Sequence, residues 1–187
     1  MRIIAGTFRS RQLKSLKKLD ICPTSDMLRE TLFNILGPRV AGSRFLDLFA
    51  GTGAVGIEAV SRGAAFVAFV ERHKPAARLI EGNLALLGIS EGVRVVTADA
   101  LPAISKLDAE RSAPFDFIFL DPPYANEQDY PSALRALEKS ALVDASGMII
   151  AEHRKSFRPP EASGGLKLFR TLEQGDAALS FYRRAPA

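Results

Sequence analysis

From residue 44 onward, short apolar runs alternate with longer segments of helical periodicity. The runs fall at residues 44–49, 65–70, 93–97, 115–120 and 148–151. Most are apolar on both faces, as strands of a parallel sheet covered by helices must be. Helix-like segments at residues 53–62, 74–87 and 130–140 lie between them. This βαβα order predicts an α/β fold with a doubly wound, mostly parallel sheet. After Gly164-Gly165 the rhythm changes. Strand-like runs at residues 166–171 and 178–183 flank Glu173-Gln174-Gly175-Asp176 and predict a closing antiparallel hairpin.

The N-terminal fifth reads differently. Arg2-Ile3-Ile4 and residues 11–16 are short basic-apolar stretches, with Gly6-Thr7 placed to turn a hairpin between them. Pro23-Thr24-Ser25-Asp26 carries helix-start chemistry. Met27, Leu28, Thr31, Leu32, Ile35 and Leu36 follow at helical spacing, and Gly37-Pro38 ends the run. The expected organisation is a basic arm and helix over residues 1–40, packing on a catalytic domain at residues 41–187.

Charge sharpens that division. The 187 residues hold 25 Lys and Arg against 21 Asp and Glu. Six of the bases (Arg2, Arg9, Arg11, Lys14, Lys17 and Lys18) stand in the first twenty residues beside one acid, Asp20. The remainder is nearly neutral. A basic end on a neutral body fits a polyanionic partner or a solvated tail, and charge alone does not choose. Cys22 is the only cysteine, which excludes an internal disulfide and Cys-built zinc sites. His73 and His153 are too few for a His-built metal site, so no metal is expected. The early apolar run Ile3-Ile4-Ala5 is too short for a signal peptide, and no stretch approaches the roughly 18 apolar residues of a membrane span. A cytoplasmic protein is expected.

The most informative stretch runs from Asp47 through Phe49-Ala50-Gly51-Thr52-Gly53 to Gly56. Gly51, Gly53 and Gly56 match G-x-G-x-x-G between a strand and a helix, and Glu71 ends the next apolar run. Glycine lets a ligand lie against the backbone, and a carboxylate there can accept two hydrogen bonds from a ribose diol. A dinucleotide would set its pyrophosphate on the helix N-terminus. S-adenosylmethionine (SAM) has no phosphate and carries an ammonium and a sulfonium. Asp47, Glu71 and Asp99, at three successive strand ends, favour the cationic nucleoside. For Asp99 a plain helix N-cap is the competing reading.

The fourth run ends Asp121-Pro122-Pro123-Tyr124. Each proline fixes φ and lacks an N–H, and the second holds the first extended. The resulting stiff loop presents a carboxylate, a carbonyl and a ring. An exocyclic amino group is a poor nucleophile because its lone pair is delocalised into the base. The Asp121 carboxylate and Pro122 carbonyl can accept its two N–H bonds, and Tyr124 can stack on the base. Methyl transfer then needs positioning and electrostatics, not a metal.

These residues resemble a known family. Residues 47–53 resemble motif I of class I SAM-dependent methyltransferases, and Asp121-Pro122-Pro123-Tyr124 resembles the amino-methyltransferase motif. Together with Met1-Arg2-Ile3-Ile4-Ala5-Gly6, Pro23-Thr24-Ser25-Asp26 and Arg29-Glu30-Thr31-Leu32-Phe33-Asn34, they resemble the bacterial RsmD family of 16S rRNA guanine-N2 methyltransferases. The resemblance implies a Rossmann-like, seven-stranded class I fold and a guanine in small-subunit rRNA, within a partly assembled subunit, as target of a monomeric enzyme. It implies a cofactor set of Thr24, Arg29, Asp47, Phe49, Ala50, Gly51, Thr52, Gly53, Glu71, Arg72, Asp99 and Ala100. The implied catalytic set is Asp121, Pro122, Pro123 and Tyr124, with the six N-terminal bases as RNA contacts. Cys22 and Ser10 depart from the family pattern, standing where Arg and Gly are expected. The competing functions are a DNA adenine-N6 methyltransferase, a nicotinamide-dependent oxidoreductase using the glycine loop, and a non-catalytic RNA-binding protein.

Overall fold

Every apolar run read from the sequence forms a strand. In the computed structural model these are β1 (Arg44–Asp47), β2 (Phe66–Val70), β3 (Val93–Val96), β4 (Phe115–Leu120) and β5 (Val143–Arg154). The structure describes residues 1–15, 24–123 and 126–185. Lys17, Lys18, Cys22 and Tyr124 therefore lie outside the described residues. The chain packs as two units, Met1–Asp99 and Ala100–Ala187.

In the first unit β1, β2 and β3 are parallel, in the order β3-β2-β1. The register sets Asp47 opposite Phe69 and Val70 opposite Val96, so the carboxyl ends of the strands are level. Helix α1 (Asp26–Leu36) starts where the Ser25 hydroxyl accepts the Leu28 N–H at 3.1 Å, and ends at Gly37, whose φ of 59° suits glycine. Helices α2 (Ala54–Ser61) and α3 (Lys74–Leu86) follow β1 and β2. The first α2 residues sit tightly on the sheet: a Cβ on Gly56 would lie 2.2 Å from the Phe69 ring.

The N-terminal segment is part of this unit. Arg2 and Gln12 form an antiparallel bridge, and Ile3 and Leu13 are buried. The Gly6-Thr7 hairpin expected from the sequence is replaced by a wider loop. Thr7 N–H donates to the Ser61 carbonyl at 2.7 Å, and a Cβ on Gly6 would lie 1.8 Å from that oxygen. The glycine is used to let the loop reach the end of α2, while Ser10, at φ 67°, takes a left-handed conformation. That is the position at which the resemblance set an expectation of glycine.

In the second unit the strand order is β4-β5-β8-β7-β6, where β6 is Ala162–Ser163, β7 Leu166–Gln174 and β8 Ala177–Arg184. Strands β4 and β5 are parallel and the remaining pairings antiparallel. The hairpin turns at Gly175, with φ 62°. Helices α4 (Ala100–Ala109) and α5 (Asp129–Lys139) complete the unit. Among the described residues the strands number eight, not the seven expected. The difference includes the two-residue β6, which carries no hydrophobic run to announce it. No helix among the described residues is long and apolar enough to cross a membrane.

Candidate active site

The glycine loop is held in the first unit by two acids, one before it and one after it in the chain. Asp47, the last residue of β1, is buried, and its Oδ2 accepts the Gly56 N–H at 3.0 Å. A carboxylate thus sits at the N-terminal turn of α2, where the helix dipole favours it. The same carboxylate disfavours a pyrophosphate at that helix end, which removes the main support for a dinucleotide. Glu71 follows β2. Its Oε2 accepts the Gly51 N–H at 2.8 Å and its Oε1 accepts the His73 N–H at 2.7 Å. Each oxygen keeps a further lone pair for a ligand. Gly51 and Gly53 have φ of 53° and 78°, and a Cβ on Gly53 would lie 3.0 Å from Ile80 Cγ1. These glycines are required by backbone conformation.

The other predicted cofactor residues are distributed around this loop and beyond it. Phe49 is half-buried, Ala50 and Thr52 are buried, and Ala50 N–H donates to the Val70 carbonyl at 2.8 Å. Arg72 is exposed and its Nε donates to His73 Nε2 at 3.2 Å. Asp99 is exposed and ends the first unit, just ahead of half-buried Ala100. Thr24 is buried. Thr52 donates to the Met1 sulfur at 3.5 Å, and the neighbouring Arg2 carbonyl accepts from Arg29 Nη2 at 2.8 Å. Residues 1–2 thereby link the loop to α1. Arg29 is buried, pairs with Asp26 at 2.8 Å and lies 3.8 Å from Glu58. Its Nη1 is buried with no hydrogen-bond partner among the described residues. A buried guanidinium N–H without an acceptor is destabilising on its own.

Sequence reasoning missed the residue that anchors the N-terminus. Glu58 is fully buried in α2 and accepts the Ile4 N–H at 2.8 Å, the Ala5 N–H at 3.0 Å and Arg62 Nε at 2.8 Å. Asn83 of α3 does similar work, accepting the Lys14 N–H at 2.9 Å and donating to the Lys14 carbonyl at 3.2 Å. The signal was present: Glu58 interrupts the apolar helix Val55-Gly56-Ile57-Glu58-Ala59-Val60, and an acid there needs partners. The side chains of Arg9, Arg11 and Lys14 are exposed on this anchored segment, as is that of Arg2, whose Nε lies 3.7 Å from Asp26. The N-terminus is accordingly a docked basic surface, not a detachable tail.

In the second unit Asp121 is half-buried directly beyond β4, with Pro122 buried and Pro123 exposed. The Pro123 carbonyl accepts the Asn126 N–H at 2.8 Å, ahead of α5. Tyr130, at the start of α5, is buried and donates to the Glu152 carbonyl at 2.7 Å. Two consecutive prolines restrict the backbone directly after Asp121. His73 is the N-cap of α3. No group of three or more metal-ligating side chains occurs among the described residues.

Comparison with known proteins places the chain among relatives of its own length. The model of the family described as Conserved hypothetical protein 95 matches residues 1–183. YlbH of Bacillus subtilis is 36% identical over 98% of this chain and 99% of its own. Ribosomal RNA small subunit methyltransferase D of Escherichia coli is 32% identical over 98% of this chain and 90% of its own. Among solved structures, the yhhF protein of Escherichia coli is 30% identical with a TM-score of 0.87, covering 100% of this chain and 99% of that one.

Proposed function

The chain belongs to the Conserved hypothetical protein 95 family, and from that premise we propose that it is a SAM-dependent methyltransferase acting on the exocyclic N2 of a guanine in small-subunit rRNA. The observation that carries this reading is the end-to-end likeness to ribosomal RNA small subunit methyltransferase D of Escherichia coli. The structure's own residues fit the cofactor. The Glu71 carboxylate retains lone pairs for a ribose diol, and the left-handed glycines clear the ligand side of the loop. The unpaired Arg29 Nη1 is a donor suited to the cofactor's carboxylate. Asp47, Phe49, Ala50, Thr52, Arg72, Asp99, Ala100 and Thr24 complete the proposed set.

SAM supplies a methyl group on a sulfonium sulfur, which departs as a neutral thioether. The protein's part is orientation. In this reading the Asp121 carboxylate and Pro122 carbonyl accept the two N–H bonds of the guanine amino group. That turns the nitrogen lone pair out of conjugation, and Tyr124 stacks on the base. The N–C bond forms as the S–C bond breaks. The nitrogen then carries a positive charge and loses a proton to Asp121 or to water. Arg2, Arg9, Arg11, Lys14, Lys17 and Lys18 hold phosphates in the same proposal. A monomer working in the cytoplasm on a partly assembled small subunit completes it.

The test is transfer from methyl-labelled SAM into small-subunit particles, naked rRNA and duplex DNA, followed by mass spectrometry of the modified nucleoside. N2-methylguanosine from the ribosomal substrates is the expected product. Label found only in N6-methyladenine of duplex DNA would overturn the reading.

A further inference from the structure

The C-terminal hairpin carries a second feature that the reaction does not use. In the pairing of β7 with β8, Leu168 stands opposite Tyr182 and Arg170 opposite Phe181. Phe169 has no partner: it is the extra residue of a β-bulge. Bulges re-aim side chains, and here the ring is left 40% exposed. The Arg183 guanidinium lies over it, 4.9 Å from the ring centroid. Arg170 lies over the neighbouring Phe181 ring at 5.7 Å. Lys167 stands directly across from Arg183. The bulge therefore brings an exposed ring and three cations onto one face of the β7–β8 hairpin.

These cations are not committed elsewhere. Lys155, at the turn end of the hairpin, is paired with Glu173 at 2.8 Å, and Arg184 donates to the carbonyls of Glu138 and Ser140. Lys167, Arg170 and Arg183 have no ion pair among the described residues. Uncompensated positive charge beside a partly exposed ring capped by a guanidinium plane is the chemistry that unpaired nucleotides require. Bases stack on aromatic rings or guanidinium planes, and phosphates meet the neighbouring cations. A protein partner would be expected to offer carboxylates to the same cations, but it would leave the stacking geometry of Phe169 and Arg183 without a purpose.

We infer that this hairpin face is a second RNA contact, where an unpaired base stacks on the Phe169–Arg183 pair and adjacent phosphates meet Lys167 and Arg170. The inference rests on the proposed RNA substrate and adds a subsite to it.

The experiment measures fluorescence anisotropy of a short labelled single-stranded RNA, across a salt series, with the full chain and its Phe169→Ala and Arg183→Gln variants. Phe169→Ala is expected to weaken binding roughly tenfold. Arg183→Gln is expected to reduce the salt slope by about 0.7 if the guanidinium also meets a phosphate. SAM affinity and the thermal midpoint, measured on the same samples, should stay near wild type, and Phe169→Tyr should restore binding. Unchanged RNA affinity in both variants overturns the inference. So does RNA affinity that is unchanged while association with small-subunit particles falls, because that outcome assigns the face to a ribosomal protein. Methyl transfer by the wild-type chain is scored separately: if it modifies no RNA, the proposed function fails, whatever the hairpin variants do.

Discussion

The Glu71 Oε2 atom accepts a hydrogen bond from the Gly51 N–H at 2.8 Å. This single contact ties the second strand end to the glycine loop, and the other oxygen of the same carboxylate holds the His73 N–H at the start of α3. The acid proposed to bind the ribose is thus also the brace of the loop on which the cofactor lies. Glu71→Ala removes two charge-assisted bonds, each worth about 1.5–3 kcal/mol. It should lower SAM affinity by at least tenfold and also depress the thermal midpoint. Glu71→Gln keeps one acceptor oxygen, so it should fall between the two. Calorimetric titration with SAM and a melting curve on each variant check this. Wild-type SAM affinity in Glu71→Ala would contradict the assignment.

Asp121 has a different expected signature, because its proposed partner is the base and not the cofactor. Asp121→Ala should reduce single-turnover methyl transfer by more than a hundredfold, equivalent to about 3 kcal/mol of lost transition-state stabilisation. SAM affinity should persist. Asp121→Asn retains one acceptor oxygen but loses the charge that stabilises the developing cation, so it should keep a small residual rate. Full activity in Asp121→Ala would rule out the mechanism.

How far these features could be read from the sequence follows from what announces itself locally. Five strand positions came from apolar runs, because burial on both faces leaves a continuous signature. The end of α1 came from Gly37, which the left-handed φ requires. Helix α4 did not come, because Pro102 near its start reads as a breaker although a proline is tolerated in a first helical turn. The true extent of β5 was hidden for another reason. Val143 pairs with Phe115 and Met148 with Phe117, so the polar residues between them bulge out of the strand. In the site, Asp47, Gly51 and Glu71 were legible as a pattern. That Glu71 takes the Gly51 N–H and Asp47 the Gly56 N–H was not, since spacing does not say which lone pairs the backbone takes. The N-terminal charges were legible, but their anchoring was not. It depends on Glu58, a residue distant in sequence from the segment it holds.

That anchoring changes what an N-terminal experiment can show. Deleting the first residues would leave the buried Glu58 carboxylate without two of its donors and would expose the surface under Ile3. Breaking a buried charged network by removing one member costs about 3–5 kcal/mol. Glu58→Ala should therefore lower stability by that order in urea denaturation. The basic surface is better tested by point changes at exposed positions. Arg9→Gln and Arg11→Gln should leave the urea midpoint in place. Each should reduce the salt slope of RNA binding by about 0.7 if its side chain meets a phosphate. Unaltered slopes in the double variant would remove these residues from the RNA interface.

His153 offers a pH test independent of catalysis. It is buried near the end of β5, with Nδ1 2.8 Å from the Arg154 carbonyl and Nε2 2.8 Å from the Ser180 hydroxyl. A carbonyl only accepts, so Nδ1 carries the proton and Nε2 accepts from Ser180. This neutral tautomer is satisfied on both sides. Burial holds the imidazole below its ordinary value of 6.5, and the carbonyl contact opposes that only in part. The unfolded chain therefore binds a proton at a higher pH than the folded one. Stability from this residue is complete above about pH 6.5 and declines as pH falls toward the lower folded value. A His153→Gln variant lacks the titration. The gap in thermal midpoint between wild type and variant should be constant above neutrality and narrow as pH drops below about 6.5. A gap that widens on acidification would mean the folded protein favours the imidazolium, contrary to the hydrogen bonding around the ring.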